Sequence, residues 1–228
     1  MKIGTAPQHQ ATSRILRMVG ATALAAVCTL ASAQSAHADR VTPPRVPDEL
    51  QVPPGNTPFL EGHAVGTQNY VCLPCPNPNT PAAMCPDASG FGWLLFTPQA
   101  TLFKDNDRQV ITHFFSPNPS EHGTIRATWQ HSADSSTVWA KLFRPPSLNS
   151  QFVAPGAVAW LLLQVSGVQD GPTGGDKLTD STFVHRVNTE GGVAPSTACT
   201  ATNVGAEAFM PYTADYIFYT NVPGHDAE

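Results

Sequence analysis

The run Ala157-Val-Ala-Trp-Leu-Leu-Leu-Gln-Val-Ser166 is apolar almost without interruption as far as Val165. It is too short for a membrane helix and has the length of a strand covered on both faces, central in a sheet. On that reading Trp160 belongs to a core before it belongs to a binding site. The stretch from Gln109 to Phe115 alternates more loosely, with Val110 and Thr112 set against apolar neighbours. Further segments of strand length and composition lie near 61–72, 91–96, 100–104, 124–130, 136–143, 180–188 and 212–220. They are rich in Val, Thr, Phe, Tyr and Trp and are separated by turn-forming clusters such as Lys104-Asp-Asn-Asp107, Ser116-Pro-Asn-Pro-Ser120 and Asp170-Gly-Pro-Thr-Gly-Gly-Asp176. Helical periodicity is scarce, and 22 prolines and 17 glycines weigh against helices as well. The pattern predicts an all-β chain, a single antiparallel β-sandwich or barrel-like domain, without internal repeats.

The ends divide the chain further. Residues 1–38 carry Lys2, Arg14 and Arg17 and no acid, then an alanine-rich apolar stretch, then small-residue sites that allow cleavage after Ala33 or Ala38. That is the pattern of a signal peptide, so the protein is expected to be secreted or periplasmic. No later run is long and apolar enough for a membrane span. Removing residues 1–38 leaves nine basic against seventeen acidic residues, a net charge of −8, with Lys and Arg scattered singly. Such a chain repels nucleic acid and anionic membrane surfaces. Residues 39–58 read as a Pro-rich leader, 59–222 as the all-β domain, long enough to bury a substantial core, and 223–228 as a tail.

Four cysteines remain after export: Cys72, Cys75, Cys85 and Cys199. An even count in an oxidising compartment reads as disulfides, with three possible pairings. Pro76 biases Cys75 away from helical dihedrals, which speaks against a thioredoxin-type Cys-x-x-Cys. A four-cysteine zinc site would more usually present two close pairs, whereas here three cysteines are local and one is distant, so no metal is expected. The pairing adopted here joins Cys72 to Cys199 and closes the proline-rich lip with Cys75–Cys85. The longer closure contributes about 4–5 kcal/mol and the shorter about 3 on the chain-entropy model.

At Gly66-Thr-Gln-Asn-Tyr-Val-Cys72, Pro98-Gln-Ala-Thr-Leu102, His113-Phe, Ala159-Trp-Leu-Leu-Leu163, Arg186-Val-Asn-Thr-Glu-Gly-Gly-Val-Ala-Pro195 with Cys199, and Pro211-Tyr-Thr-Ala-Asp-Tyr-Ile-Phe-Tyr219, the chain resembles a known family. It is similar to the secreted proteins grouped as domain of unknown function 3455, found in bacteria and fungi, over nearly all of residues 60–220. The resemblance implies the Cys72–Cys199 pair, with Cys75 and Cys85 an addition. Where many members have Gly-Pro-x-Trp and then Asp-Gly-Ser, this chain has Arg126-Ala-Thr-Trp129 and Asp134-Ser-Ser136. The resemblance brings no activity with it. The malate dehydrogenase label of some fungal members is unsupported here, because no Gly-x-Gly-x-x-Gly opens a helix after a strand.

Among residues that could carry chemistry, His63, His113, His122, His131 and His185 lie in the folded part, with Glu121 and Asp134 nearby in sequence. Their spacing matches no metal or hydrolase motif, and no Gly-x-Ser-x-Gly is present. His185 shares a strand face with Phe183 and Val187, and His113 one with Ile111 and Phe115, so each reads as a buried hydrogen-bonded histidine or as a ligand. The loop from Arg186 to Pro195 is the best place for a specific site. Arg186 and Asn188 are expected on one strand face beside glycines that allow close approach, with Trp129 or Trp139 as an apolar platform for a carboxylate or a sugar. The alternative is that Arg186 pairs with a carboxylate and Asn188 satisfies loop backbone. The candidate binding residues are therefore Arg186, Asn188, Trp129, His113 and His185, with no catalytic residue and no cofactor assigned. The expected function is a non-catalytic module that binds a small molecule or glycan or serves the cell surface. The alternative, a histidine-dependent hydrolase or metal-assisted enzyme, requires at least two of His63, His113, His131, His185 and Asp134 to converge around an accessible pocket.

Overall fold

A computed structural model describes residues 41–75 and 90–223. The stretch expected to be a signal peptide, Cys85 and the end of the expected tail lie outside the described residues. Eight strands follow one another: β1 (Thr57–Pro74), β2 (Phe91–Phe103), β3 (Gln109–Asn118), β4 (Thr124–His131), β5 (Thr137–Leu142), β6 (Leu161–Gln169), β7 (Ser181–Gly191) and β8 (Glu207–Thr220). Each pairs antiparallel with the next, and β1 pairs with β8, so the sheet closes into a barrel. Of the two architectures open to the sequence, the barrel is realised and the sandwich is not. The segments expected at 91–96 and 100–104 are one strand, because Gln68 and Asn69 of β1 continue the ladder past Thr97 and Pro98. The apolar run from Ala157 begins its strand only at Leu161. Its first residues instead make single bridges, Ala157 to Gly192 and Trp160 to Ser147.

Alternation along each strand divides side chains between the barrel interior and its outer face. The lower interior is filled by Leu60, Leu102, Ile111, Val138, Val184 and Phe218. Leu178, from the connection between β6 and β7, belongs to the same cluster. Trp129 and Tyr216 lie above them, with ring centroids 5.5 Å apart. Small inward residues on β1 and β2 let the strands approach: a Cβ on Gly66 would collide with the Gln99 carbonyl and the Ala100 backbone.

A second core lies on the outer face of β6, β7 and β8, where Leu162, Phe183, Val187, Ile217 and Tyr219 are buried. It is covered by Val153, Ala157 and Trp160 and by the chain preceding β1, from which Val46 and Leu50 are buried. The segment read from sequence as a leader is thus seated on the barrel over residues 41–52. Leu162 and Leu163 face the two different cores, so β6 is covered on both faces at this point, as its continuous apolar run implies.

Cys72 and Cys199 form a disulfide across 127 residues of sequence. The backbone runs alongside it: Cys72 N–H donates to Ala206 O at 2.9 Å, and Gly205 N–H donates to Cys72 O at 2.8 Å. The bond therefore ties the upper end of β1 to the chain entering β8. Cys75 is also disulfide-bonded. Replacing Cys72 and Cys199 together by serine is expected to cost about 4–5 kcal/mol on the chain-entropy model, measured by equilibrium denaturation against the oxidised wild type. A loss below about 1 kcal/mol would show that β1 and β8 stay closed without the covalent bond.

Candidate functional site

The upper half of the barrel differs chemically from the lower. Register places Arg186 opposite Tyr216 of β8 and Leu161 of β6, hence inside. Around it on the same interior face come Tyr212, Gln68, Tyr70, His113 and Trp129. Several inward side chains at this end are only half-buried, Arg186, Leu161, Val165 and Ala127 among them. In a closed barrel that exposure marks the mouth, a shallow cup beneath which Trp129 and Tyr216 are fully buried.

The charge in this cup has no counter-ion. The Nε and Nη2 of Arg186 both donate to Ala159 O, at 3.1 and 2.8 Å, and among the described residues it has no carboxylate partner. The tyrosines do not supply one. Burial raises the pKa of Tyr70, Tyr212 and Tyr216 despite the opposing pull of Arg186, so all three stay neutral. Tyr70 donates to Gly192 O at 2.7 Å, and the hydroxyls of Tyr212 and Tyr216 are 3.3 Å apart. His113 is stacked on Trp129 with centroids 4.4 Å apart, and its Nδ1–H donates to Thr128 O at 2.8 Å. Burial, reinforced by Arg186, brings its pKa down to about 3 and keeps it neutral. Two donors deep in the barrel have no hydrogen-bond partner among the described residues: Trp129 Nε1 and Gln68 Nε2, on residues 0% and 1% exposed. Tyr212 lies near Gln68, but no well-formed bond joins Gln68 Nε2 to it.

The candidates read from sequence are thus divided. Arg186, Trp129 and His113 meet in the cup, whereas Asn188 and His185 do not. Arg186 and Asn188 were expected on one face, but the β7–β8 register slips between Val187 and Glu190 and Asn188 takes a left-handed φ of 49°. That bulge turns Asn188 outward, where its Nδ2 donates to Asp215 Oδ2 at 2.7 Å. His185 sits in the outer core. Its Nε2–H donates to Leu50 O at 2.7 Å, so Nδ1 accepts from the Tyr219 hydroxyl at 2.9 Å, and burial lowers its pKa. Trp139 is on the outer face, 5% exposed, donating to Ser116 Oγ at 2.8 Å. Sequence reasoning missed Gln68, Tyr70, Tyr212 and Tyr216. The signal was there in principle, as polar and aromatic residues at the inward parity of β1 and β8.

The histidines do not converge around the cup. His131 and Asp134 approach to 3.3 Å within the β4–β5 turn, but His131 Nδ1 accepts from Ala133 N–H at 3.2 Å. Asp134 accepts from the backbone of Ser136 and of Lys177. Both are spent on turn structure. On the outer face, His63 Nδ1 meets Asp215 Oδ1 at 2.6 Å and Nε2 meets Asp105 Oδ1 at 2.9 Å. Glu61, His63 and Asp215 hold ligand atoms within 4.8 Å of one another, a spacing that could suit a metal ion. With both ring nitrogens engaged, the imidazole acts here as a clip joining β1, β8 and the β2–β3 turn. A shallow groove lies beside Val65, Thr67, Thr101, Thr112 and Phe209, also on the outer face.

Residues 53–220 match the sequence model of a family described as protein of unknown function (DUF3455). No curated protein and no solved structure matches the chain.

The clip sets a pH dependence. Desolvation lowers the His63 pKa, but the hydrogen bonds to Asp215 and Asp105 outweigh it and leave the pKa raised, with Glu61 adding a favourable charge. A raised folded-state pKa stabilises the fold fully below the unfolded value of about 6.5 and ceases to do so as pH rises through the folded value. His63→Gln is expected to melt below wild type at pH 5.5, with the gap closing by pH 9. The His63 and Asp105 side chains are 42% and 90% exposed, so screening limits the difference. At most about 1 kcal/mol, or about 2–4 °C, is expected in paired melting curves. A gap that widened with pH would contradict the assignment.

Proposed function

We propose, from the premise that the chain belongs to the DUF3455 family, that the protein is an exported, non-catalytic binding module whose barrel receives a small molecule through its mouth. The family description names no activity, so the reading rests on geometry. One observation carries it: a half-buried guanidinium with no carboxylate partner among the described residues stands at the mouth, and two buried donors without partners lie inside the barrel. Buried polar groups are ordinarily paired, and an unmet one calls for an explanation, of which a bound ligand is one; Asn69, Trp160 and Ser181 also carry orphaned atoms. Eight-stranded barrels have an interior just wide enough to be filled by side chains or to hold one small ligand. Here the lower half is filled and the upper half is polar.

The arrangement of tryptophans favours a small molecule over a polymeric glycan. Trp129, Trp139 and Trp160 are at most 5% exposed and offer no ring face to a sugar chain; the fourth, Trp93, is half-buried on β2 with its Nε1 donating to Thr197 O at 2.8 Å. Export is supported by the signal-peptide pattern of residues 1–38 and by a disulfide of the kind that persists in oxidising compartments.

The test is native mass spectrometry of protein exported by its own host and purified without denaturation, followed by titration of the emptied protein with a small-molecule library while tryptophan emission is monitored. A bound species at 1:1 stoichiometry is expected, with an emission change that disappears in Trp129→Phe. Saturable binding that leaves Trp129 unperturbed, or none across the library, would overturn the reading.

A further inference from the structure

Within the small-molecule reading, on which this inference rests, the geometry points to a ligand carrying one carboxylate on an apolar body, with the carboxylate received by Arg186. Guanidinium has five N–H donors. Ala159 O takes two of them from one side and the Tyr216 hydroxyl lies against the guanidinium, while no carboxylate among the described residues meets the fork. Nothing in the cup meets it with negative charge: Tyr70, Tyr212, Tyr216 and His113 are all neutral. The two orphaned groups, Trp129 Nε1 and Gln68 Nε2, are also donors. A site made of one cation and unpaired donors calls for an occupant rich in acceptors and negatively charged. A carboxylate matches the planar fork in shape as well as in sign.

The number of charges narrows the class. A single cation in the cup suits a monoanion, while the acidic balance of the whole chain, seventeen Asp and Glu against twelve Lys and Arg, repels polyanions approaching the mouth. Apolar side chains at the mouth, Leu161, Val165, Ala127 and Val158, are half-buried and pack against the interior cluster. They offer a hydrophobic collar for the rest of the molecule. Gly192, at φ 77°, sits where an added Cβ would come within 2.8 Å of Tyr212 Cβ and 3.0 Å of Gln68 Cγ, so the rim is narrow at this point. The ligand class is therefore a small aryl or alkyl monocarboxylate.

The experiment uses the oxidised, exported chain and matched pairs of probes: benzoate with benzamide, phenylacetate with phenylacetamide, hexanoate with hexanamide. Binding is read by calorimetry and by the emission of Trp129, with Trp129→Phe as the signal control. Each acid is expected to bind at least about tenfold more tightly than its amide, as loss of a charge-assisted fork implies. Arg186→Gln is expected to abolish that preference, and Arg186→Lys to restore only part of it. Because Arg186 also anchors Ala159 O, its variants could fail to fold, and Gln68→Leu provides a second test that leaves the anchor in place. It is expected to weaken the acids more than the amides. Equal binding of acid and amide in the cup, or undiminished acid preference in folded Arg186→Gln, would overturn the carboxylate assignment while leaving a small-molecule site standing. Trp129 emission unmoved by every probe up to millimolar concentration would overturn both.

Discussion

A sheet of eight strands has two open edges unless its first and last strands pair, and each open edge exposes a row of unsatisfied N–H and C=O groups. In this protein the pairing of β1 with β8 removes both. It runs from Thr57↔Thr220 to Val71↔Glu207, the whole length of the barrel, and the Cys72–Cys199 bond lies at its upper end. Everything else is placed by that seam. It brings Gly62, Ala64 and Gly66 of β1 beside Tyr216, Ala214 and Tyr212 of β8, so that large rings from one strand lie over small residues of the other. It also places His63 against Asp215 on the outside.

Closure forces a choice about what fills the inside. The lower half is filled with aliphatic and aromatic side chains to the exclusion of water, as close packing of a small barrel requires. The upper half retains an arginine, a glutamine and three tyrosines. The fold sustains this because the outer face of β6, β7 and β8 has a core of its own, covered by the chain preceding β1 and by the connection into β6. Burial on two faces stabilises these strands from outside, so the interior need not be wholly apolar. His185 belongs to that outer core, fixed between Leu50 O and Tyr219, and its neutrality follows from burial there.

A lone guanidinium among neutral rings is costly to keep, and the tyrosines cannot lower that cost by ionising, since the same burial that surrounds the charge raises their own pKa. The guanidinium and the orphaned Trp129 and Gln68 groups are donors, so the ligand proposed is one that supplies acceptors and negative charge. General acid–base chemistry would need a group able to change its protonation state near neutrality. His113, the cup's imidazole, has been driven far below that range.

Local pattern sufficed for much of this. Strand length and composition, turn clusters and the scarcity of helical periodicity determined an all-β domain. Resemblance over residues 60–220 identified the family and implied the Cys72–Cys199 pair. The choice between sandwich and barrel was not local, because it depends on whether β1 and β8 meet, and the partners in their shared ladder, such as Gly66 and Tyr212, lie far apart in the chain. The site was half legible for the same kind of reason. Alternation placed His113 with Ile111 and Phe115 correctly, but the bulge after Val187 reversed Asn188 relative to Arg186, and a reversal of that kind follows from the partner strand rather than from the sequence around it. Whether Arg186 finds a carboxylate is likewise a question of distance to every other strand. Chain order could supply the candidates; only the closed barrel decided that the arginine faces inward with no carboxylate partner among the described residues, because burial and pairing are properties of the assembled whole.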